Sequence, residues 1–320
     1  MKIEDLYYPI SDAPADDTNF DIEEWRQNNP MDYFKALYLV FSSVNWNQKI
    51  QSSIAMQAAF DCIYRVTRMQ IPNTLFKFYS LDNNARLNKK KLKTLKRKQI
   101  FMSNIKDFND PFDGKAFFYD PKELANIKRL TAHKGKLIDD FTAYHKGTAL
   151  TENDISCMPM WAHYSNNHRG FCVSYDMKKP DNLHLCASTF PVQYTDQRLD
   201  VTSFMKEYAN MLSSEIDNQI SQGKKHITID NLSIVYMDLF LCNIKQSTWQ
   251  YEKEYRCTMA TKSPGMPYVD ASPKAIYIGM NCSEPNRKKL IDIAKTLSIP
   301  IYQMRFNDLS ENYTLKAELL

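Results

Sequence analysis

Apolar residues recur at four-residue spacing at Ile50, Ile54, Ala58, Cys62 and Val66, widened by Ala55, Ala59 and Ile63. This pattern predicts one or two antiparallel helices between residues 31 and 68, with the stripe facing a core. Pro72 ends them. From residue 75 the period shortens. "LFKFYSL" alternates and is aromatic, so it reads as a strand, and "QIFMSN" reads as a second. A helix is expected from Pro121 to about residue 146, and "MPMWAHYSNN" fits a short helix capped by Gly170. The strands "GFCVSYD" and "FPVQYTD" follow, then helices over about 197–221 and 228–246. "EYRCTMA", "AIYIGM" and "IPIYQMRF" complete the strands, around a helix over about 284–296 capped by Ser283. No βαβ repeat runs through this order. The expected class is α+β: a mixed or antiparallel sheet core flanked by helices, with a helical N-terminal extension. Residues 1–74 are read as an acidic lead-in plus that extension, and residues 75–320 as the α+β domain.

Composition removes several kinds of function. With 43% apolar and 12% aromatic residues the chain is no disordered assembly. It has seven glycines, no two within ten residues of each other, so neither GxGxxG nor a Walker loop can be written. The seven cysteines contain no CxxC pair, which argues against a zinc knuckle or redox dithiol and for a reducing, cytoplasmic setting. No apolar run is long enough for a membrane span, and no secretion signal is expected. Eight acids against Lys2 and Arg26 give residues 1–30 a net charge of −6, which leaves +10 for the rest of a chain whose total is +4. That basic remainder peaks at Arg86, Lys89, Lys90, Lys91, Lys93, Lys96, Arg97 and Lys98. These residues suit a solvated helix face over Leu87, Leu92 and Leu95, or a surface for nucleic-acid phosphates that the acidic lead-in can cover.

Three segments carry candidate chemistry. In "WQYEKEYR" an extended chain projects Glu252 and Glu254 from one face, so that one carboxyl is pushed up and the pair divides acid and base roles. The same pattern fits a solvated edge strand. In "FNDPFDG" the Asn109-Asp110-Pro turn hangs from Phe108 and Phe112, and Asp110 with Asp113 is a thin ligand set for a metal. In "MWAHYSNNHRGF", Trp161, Tyr164 and His168 share a helical face that can stack a planar ring or simply pack, and His163 points elsewhere. No HExxH exists, and no metal is expected.

Taken in order, "FKFYSL", "IFMSNIKDFNDPFDG", "MWAHYSNNHRGFCVSYD", "VQYTD" and "KQSTWQYEKEYR" resemble the bacterial domain of unknown function catalogued under number 2971, over roughly residues 75–306. A more distant similarity is to the ADP-ribosyltransferase fold. That likeness implies NAD bound without a glycine-rich loop. Lys77 is then the basic residue of a first strand, Ser103 the serine of a second, and Glu252 and Glu254 the Glu-x-Glu. Glu254 is expected to hydrogen-bond the nicotinamide ribose and Glu252 to orient or deprotonate the acceptor. Tyr79, Asn109, Asp110, Trp161, His163, Tyr164 and Arg256 are expected around the nucleotide. The first-strand position holds Lys rather than Arg or His, and "FMSN" departs from Ser-Thr-Ser. The leading expectation is an NAD-cleaving or ADP-ribosyl-transferring effector, a toxin or phage-defence protein. Its rivals are a nucleic-acid-binding or nuclease module, with Asp110, Asp113 or Glu254 on a metal, and a non-catalytic nucleotide- or protein-binding domain.

Overall fold

The computed structural model of the protein describes residues 21–43, 49–136, 145–228, 239–260 and 267–320. Residues 1–20 of the acidic lead-in, and residues 137–144 and 229–238 of two expected helices, lie outside the described residues. Among the described residues, nine strands form one sheet: β1 (Thr74–Tyr79), β2 (Ser103–Asn104), β3 (His145–Thr151), β4 (Phe171–Asp176), β5 (Thr189–Pro191), β6 (Glu254–Ala260), β7 (Pro273–Ile278), β8 (Ile301–Phe306) and β9 (Leu315–Leu319). Their order is β9-β8-β7-β4-β1-β3-β6-β5, and β2 pairs with β3. Within this sheet only β7 and β8 run parallel. With helices on both faces this is the α+β class expected.

The described helices used below are α1 (Ile22–Asn28), α2 (Tyr33–Ser43), α3 (Lys49–Met69), α4 (Ala85–Lys96), α5 (Met158–Tyr164), α6 (Thr202–Ser221) and α7 (Glu284–Leu297). Alternation along the strands serves two cores. Leu75, Val173, Tyr175, Ile276 and Ile278 pack beneath Leu92 and Leu95 of α4 and Leu290 and Ile293 of α7. On the opposite face Phe78, Cys172 and Met304 meet Met160 and Trp161 of α5. A third cluster joins the N-terminal helices to the rest, with Tyr33, Leu37, Met56 and Phe60 against Phe190, Phe204, Tyr208 and Phe240. Arg68 at the end of α3 reinforces that junction, donating to the carbonyls of Cys186 and Thr189.

Several local expectations need correction. The buried row of α3 is Met56, Phe60, Ile63 and Thr67, whereas Ile54, Ala58, Cys62 and Val66 face outward. A strict four-residue row drifts by about 40° per step on a helix of 3.6 residues per turn, so it cannot hold one face for long. The larger side chains of the neighbouring row take the core. Among the described residues the segment after Pro121 forms the helix Pro121–Leu124 and a 3-10 turn at Thr131–His133, and β3 has already begun at His145. Ile244–Gln246, expected as helix, is a strand parallel to Gln193–Thr195, so "FPVQYTD" splits between two ladders at Val192. Ser283 does sit at the N-cap of α7, but its side chain makes no capping bond.

Gly170 is no left-handed cap either. The chain leaves α5 through left-handed Asn166, Asn167 and His168 (φ 54°, 54° and 63°), and Gly170 then passes so close to β1 that a Cβ would lie 1.8 Å from the Tyr79 carbonyl oxygen. Gly170→Ala should therefore destabilise the protein by about 1–3 kcal/mol, as overpacking does. Urea unfolding measures this, and an unchanged midpoint would contradict the close approach.

Candidate functional site

The sheet parts in its middle. β4 follows β1 for six consecutive residues, but β3 pairs with β1 only at Phe76 and Thr151. Beyond that rung the two strands diverge, and β2 takes the freed edge of β3 at Lys146 and Gly147. Lys77 reaches across the gap, where its ammonium donates to the Ala149 carbonyl at 2.9 Å. The opening is a narrow inner pocket of about 70 Å³ that shares its walls with a wider cleft of about 520 Å³. Both are lined by Lys77, Phe78, Phe108, Asn109, Ala149 and Tyr164. Glu252, Glu254 and Lys245 stand at the inner end, and Tyr79, Lys90, Lys91, Ser103, Phe101 and Tyr268 surround the mouth.

The inner end is a buried ion network. Lys245 Nζ lies 2.7 Å from Glu252 Oε2 and 3.0 Å from Glu254 Oε2. Arg256 donates from Nε to Glu254 Oε1 at 2.7 Å and from a terminal nitrogen to Asp113 Oδ1 at 2.6 Å. Its other terminal nitrogen reaches the Cys242 carbonyl at 2.7 Å. Tyr164 donates to Glu252 Oε1, and Asn109 Nδ2 lies 3.2 Å from the Tyr164 hydroxyl. The carboxylates converge through a turn rather than along a strand. Glu252 ends a 3-10 helix (Ser247–Glu252), Lys253 is left-handed at φ 43°, and Glu254 opens β6. The Tyr194 hydroxyl accepts from the Glu254 amide at 2.7 Å.

Charge pairing divides the carboxyls. Burial alone raises Glu254, yet Arg256 and Lys245 together outweigh it and hold the group down at about 2. Burial prevails at Glu252, which lies above the usual range despite Lys245 and Tyr164. It prevails at Asp113 too, which is pushed up to about 6 although Arg256 opposes it. Burial also lowers Lys77 to about 8, partly offset by Glu254.

With this geometry in place, one comparison is informative. Residues 160–257 match a family model described as protein of unknown function, DUF2971. No curated protein and no solved structure matches the chain. The DUF2971 match is shorter than the expected span of residues 75–306. It includes Tyr164, Lys245, Glu252, Glu254 and Arg256 but not Lys77, Ser103 or Asn109. The cleft is thus built by the matched segment together with residues that precede it and with Tyr268, which follows it.

Of the residues singled out in the sequence, Lys77, Tyr79, Ser103, Asn109, Tyr164, Glu252 and Glu254 line the continuous cleft. Arg256 lies behind it, fully buried, as the clamp between Glu254 and Asp113. Asp110 is buried and caps its own turn, its side chain accepting from the Phe112 amide at 2.9 Å. Trp161 is core: it is fully buried, packs edge-on against Phe78 and donates to the Ile155 carbonyl at 2.8 Å. His163 stands outside the cleft between Tyr164 and Tyr251. His168 lies beyond α5 yet stacks on Trp161, so the expected helical face is completed by a turn. Among the described residues no three His, Cys, Asp or Glu side chains gather as metal ligands. Lys245 was not foreseen. Its signal was a lone lysine in the apolar run "FLCNIKQ", a few residues ahead of the two glutamates.

Glu252 and Glu254 are not the exposed carboxylates of a solvated edge strand, since both are buried. Lys245→Met removes the shared cation and leaves two buried anions facing each other, so urea unfolding at pH 7 should show a loss of about 3–5 kcal/mol. The acid side has a defined sign. Glu254 titrates lower in the folded chain than its ordinary value of 4.5, so its stabilisation is present above about pH 4.5 and is lost as the pH falls towards 2. Asp113 acts oppositely: its contribution is present below its ordinary 3.8 and is lost as the pH rises through about 6. Unfolding measured against pH should lose the first slope in Glu254→Gln and the second in Asp113→Asn.

Proposed function

We propose that the cleft binds NAD and that the Glu252/Glu254 pair promotes cleavage of its nicotinamide–ribose bond, releasing ADP-ribose to water or to an acceptor. The observation that carries this reading is a carboxylate kept ionised by two buried cations at the closed end of a cleft with aromatic walls and a cationic mouth. As the C1′–N bond breaks, its electron pair leaves on nicotinamide and positive charge develops on the ribose. A fixed anion stabilises that charge most where water is excluded. Glu254 supplies the anion. Glu252 has a raised proton affinity and takes the proton of the attacking water or acceptor as its oxygen or nitrogen bonds to C1′.

The walls fit the rest of the molecule. Phe78, Phe108 and Tyr79 offer ring faces and edges for the planar bases. No glycine-rich loop exists to hold the phosphates through backbone amides. Lys77, Lys90 and Lys91 are the cations on the cleft walls that can do so. An activity that drains NAD would suit a toxin or an antiviral effector.

Purified protein incubated with NAD should release nicotinamide, read by chromatography. Glu254→Gln should slow release by about 10²- to 10³-fold, the scale of losing one electrostatic stabiliser of a transition state. Because Glu254 also supports the fold, the comparison is made on protein whose circular dichroism and melting show it folded. Tyr164→Phe, which keeps the ring and removes the donor to Glu252, is the gentler companion and should also lower turnover. Wild-type protein that neither turns over nor binds NAD refutes the reading.

A further inference from the structure

The mouth of the cleft carries more cations and open rings than the NAD reading uses. Helix α4 turns Leu92 and Leu95 inward. Leu87, Lys90, Lys91 and Thr94 face the cleft, at the i, i+3, i+4 and i+7 spacing of a single helical face. Lys91 is tied down, donating to the Ser80 carbonyl and hydroxyl at 2.7 and 2.8 Å. Arg86, Lys89, Lys93, Lys96, Arg97 and Lys98 are exposed around the same helix, as is Lys90. Among the described residues no carboxylate pairs with any of these seven. A row of cations with no counter-charge of its own attracts a polyanion.

The cleft also borders a second kind of surface. The short antiparallel ladder of Gln99–Phe101 with Tyr268–Asp270 sets Phe101 opposite Tyr268. The two rings lie 5.6 Å apart, edge to face, and are 51% and 37% exposed. Rings this large, left open beside unneutralised lysines, are what single-stranded nucleic acid binds: phosphates on the cations, unpaired bases on the ring faces. A duplex keeps its bases stacked inside and has no use for the rings. An acidic peptide matches the charge but not the aromatic pair.

We propose that α4 together with Phe101 and Tyr268 forms a binding site for single-stranded nucleic acid, which presents a nucleotide to the cleft. Where this rests on the NAD reading, the strand is the acceptor. A base nitrogen or sugar or phosphate oxygen then bonds to C1′ while nicotinamide departs with the C1′–N electron pair, and any proton on that nucleophile passes to Glu252.

The test needs no NAD, so its failure is separate from failure of the cleavage reading. A fluorescein-labelled 12-residue oligothymidylate is titrated with full-length protein and its anisotropy followed across salt concentrations, beside a duplex of equal length and poly-glutamate. The single strand should bind best. Lys89→Gln/Lys93→Gln/Lys96→Gln should lower the log–log salt slope by about 0.7 for each phosphate that the removed ammonium groups had neutralised. Phe101→Ala/Tyr268→Ala should weaken binding by about 5-fold or more with little change in slope. Phe101→Trp should keep affinity, which separates stacking from a folding defect. The proposal is overturned by no binding at low salt, by equal binding of duplex or poly-glutamate, or by aromatic variants that bind like wild type.

Discussion

Arg256 brings a full positive charge into an interior without access to water, and the surrounding structure is arranged to meet it. Its guanidinium is held by Glu254, Asp113 and the Cys242 carbonyl, and lies 5.2 Å over the Phe108 ring. Those partners come from β6, from the Asn-Asp-Pro turn and from the segment ahead of Ile244. A single buried charge therefore gathers three chain segments, of which the Asn-Asp-Pro turn lies more than a hundred residues from the other two in sequence. A buried charge left unpaired is so costly that each partner is fixed in place once the first is. The position of Glu254 at the end of the cleft follows from the same demand.

Lys77 solves a different problem. When β1 leaves β3, the carbonyl of Ala149 loses the strand neighbour that a continuous sheet would have supplied. An orphaned buried carbonyl is unfavourable, and the Lys77 ammonium takes the missing donor's role. The side chain that satisfies the backbone thereby becomes part of the cleft wall. Stability of the parted sheet and chemistry of the opening share one residue.

Much of this was legible in the sequence because strands and turns announce themselves locally. "FKFYSL", "GFCVSYD" and "AIYIGM" alternate as they fold, and Asn109-Asp110-Pro makes the turn its residues dictate. What escaped was set by partners distant in the chain. Ile54 and Val66 look like a core row until Met56 and Phe60 are seen to fill the space. Trp161 carries the composition of a stacking residue, yet it is packed against Phe78 from β1. Glu252 and Glu254 do come together, though through a turn rather than along an extended chain, and their burial could not be read without Lys245 and Arg256. Neither the depth of a carboxylate nor its cation partner leaves a periodic trace.

The single rung between Phe76 and Thr151 has a mechanical meaning. Strands β4 and β1 on one side, and β3 and β6 on the other, are firmly laddered within each pair. Only one backbone pairing joins the two halves there. The rest of the join is made by side chains: Leu150 and Tyr255 pack in one buried cluster with Leu75 and Val173, and Tyr164 bonds Glu252 across the opening. The Lys77 bond to the Ala149 carbonyl adds one more side-chain link across the seam. A join made mostly of side chains rather than backbone rungs can be reshaped by substitution along one line of the molecule while both ladders stay intact.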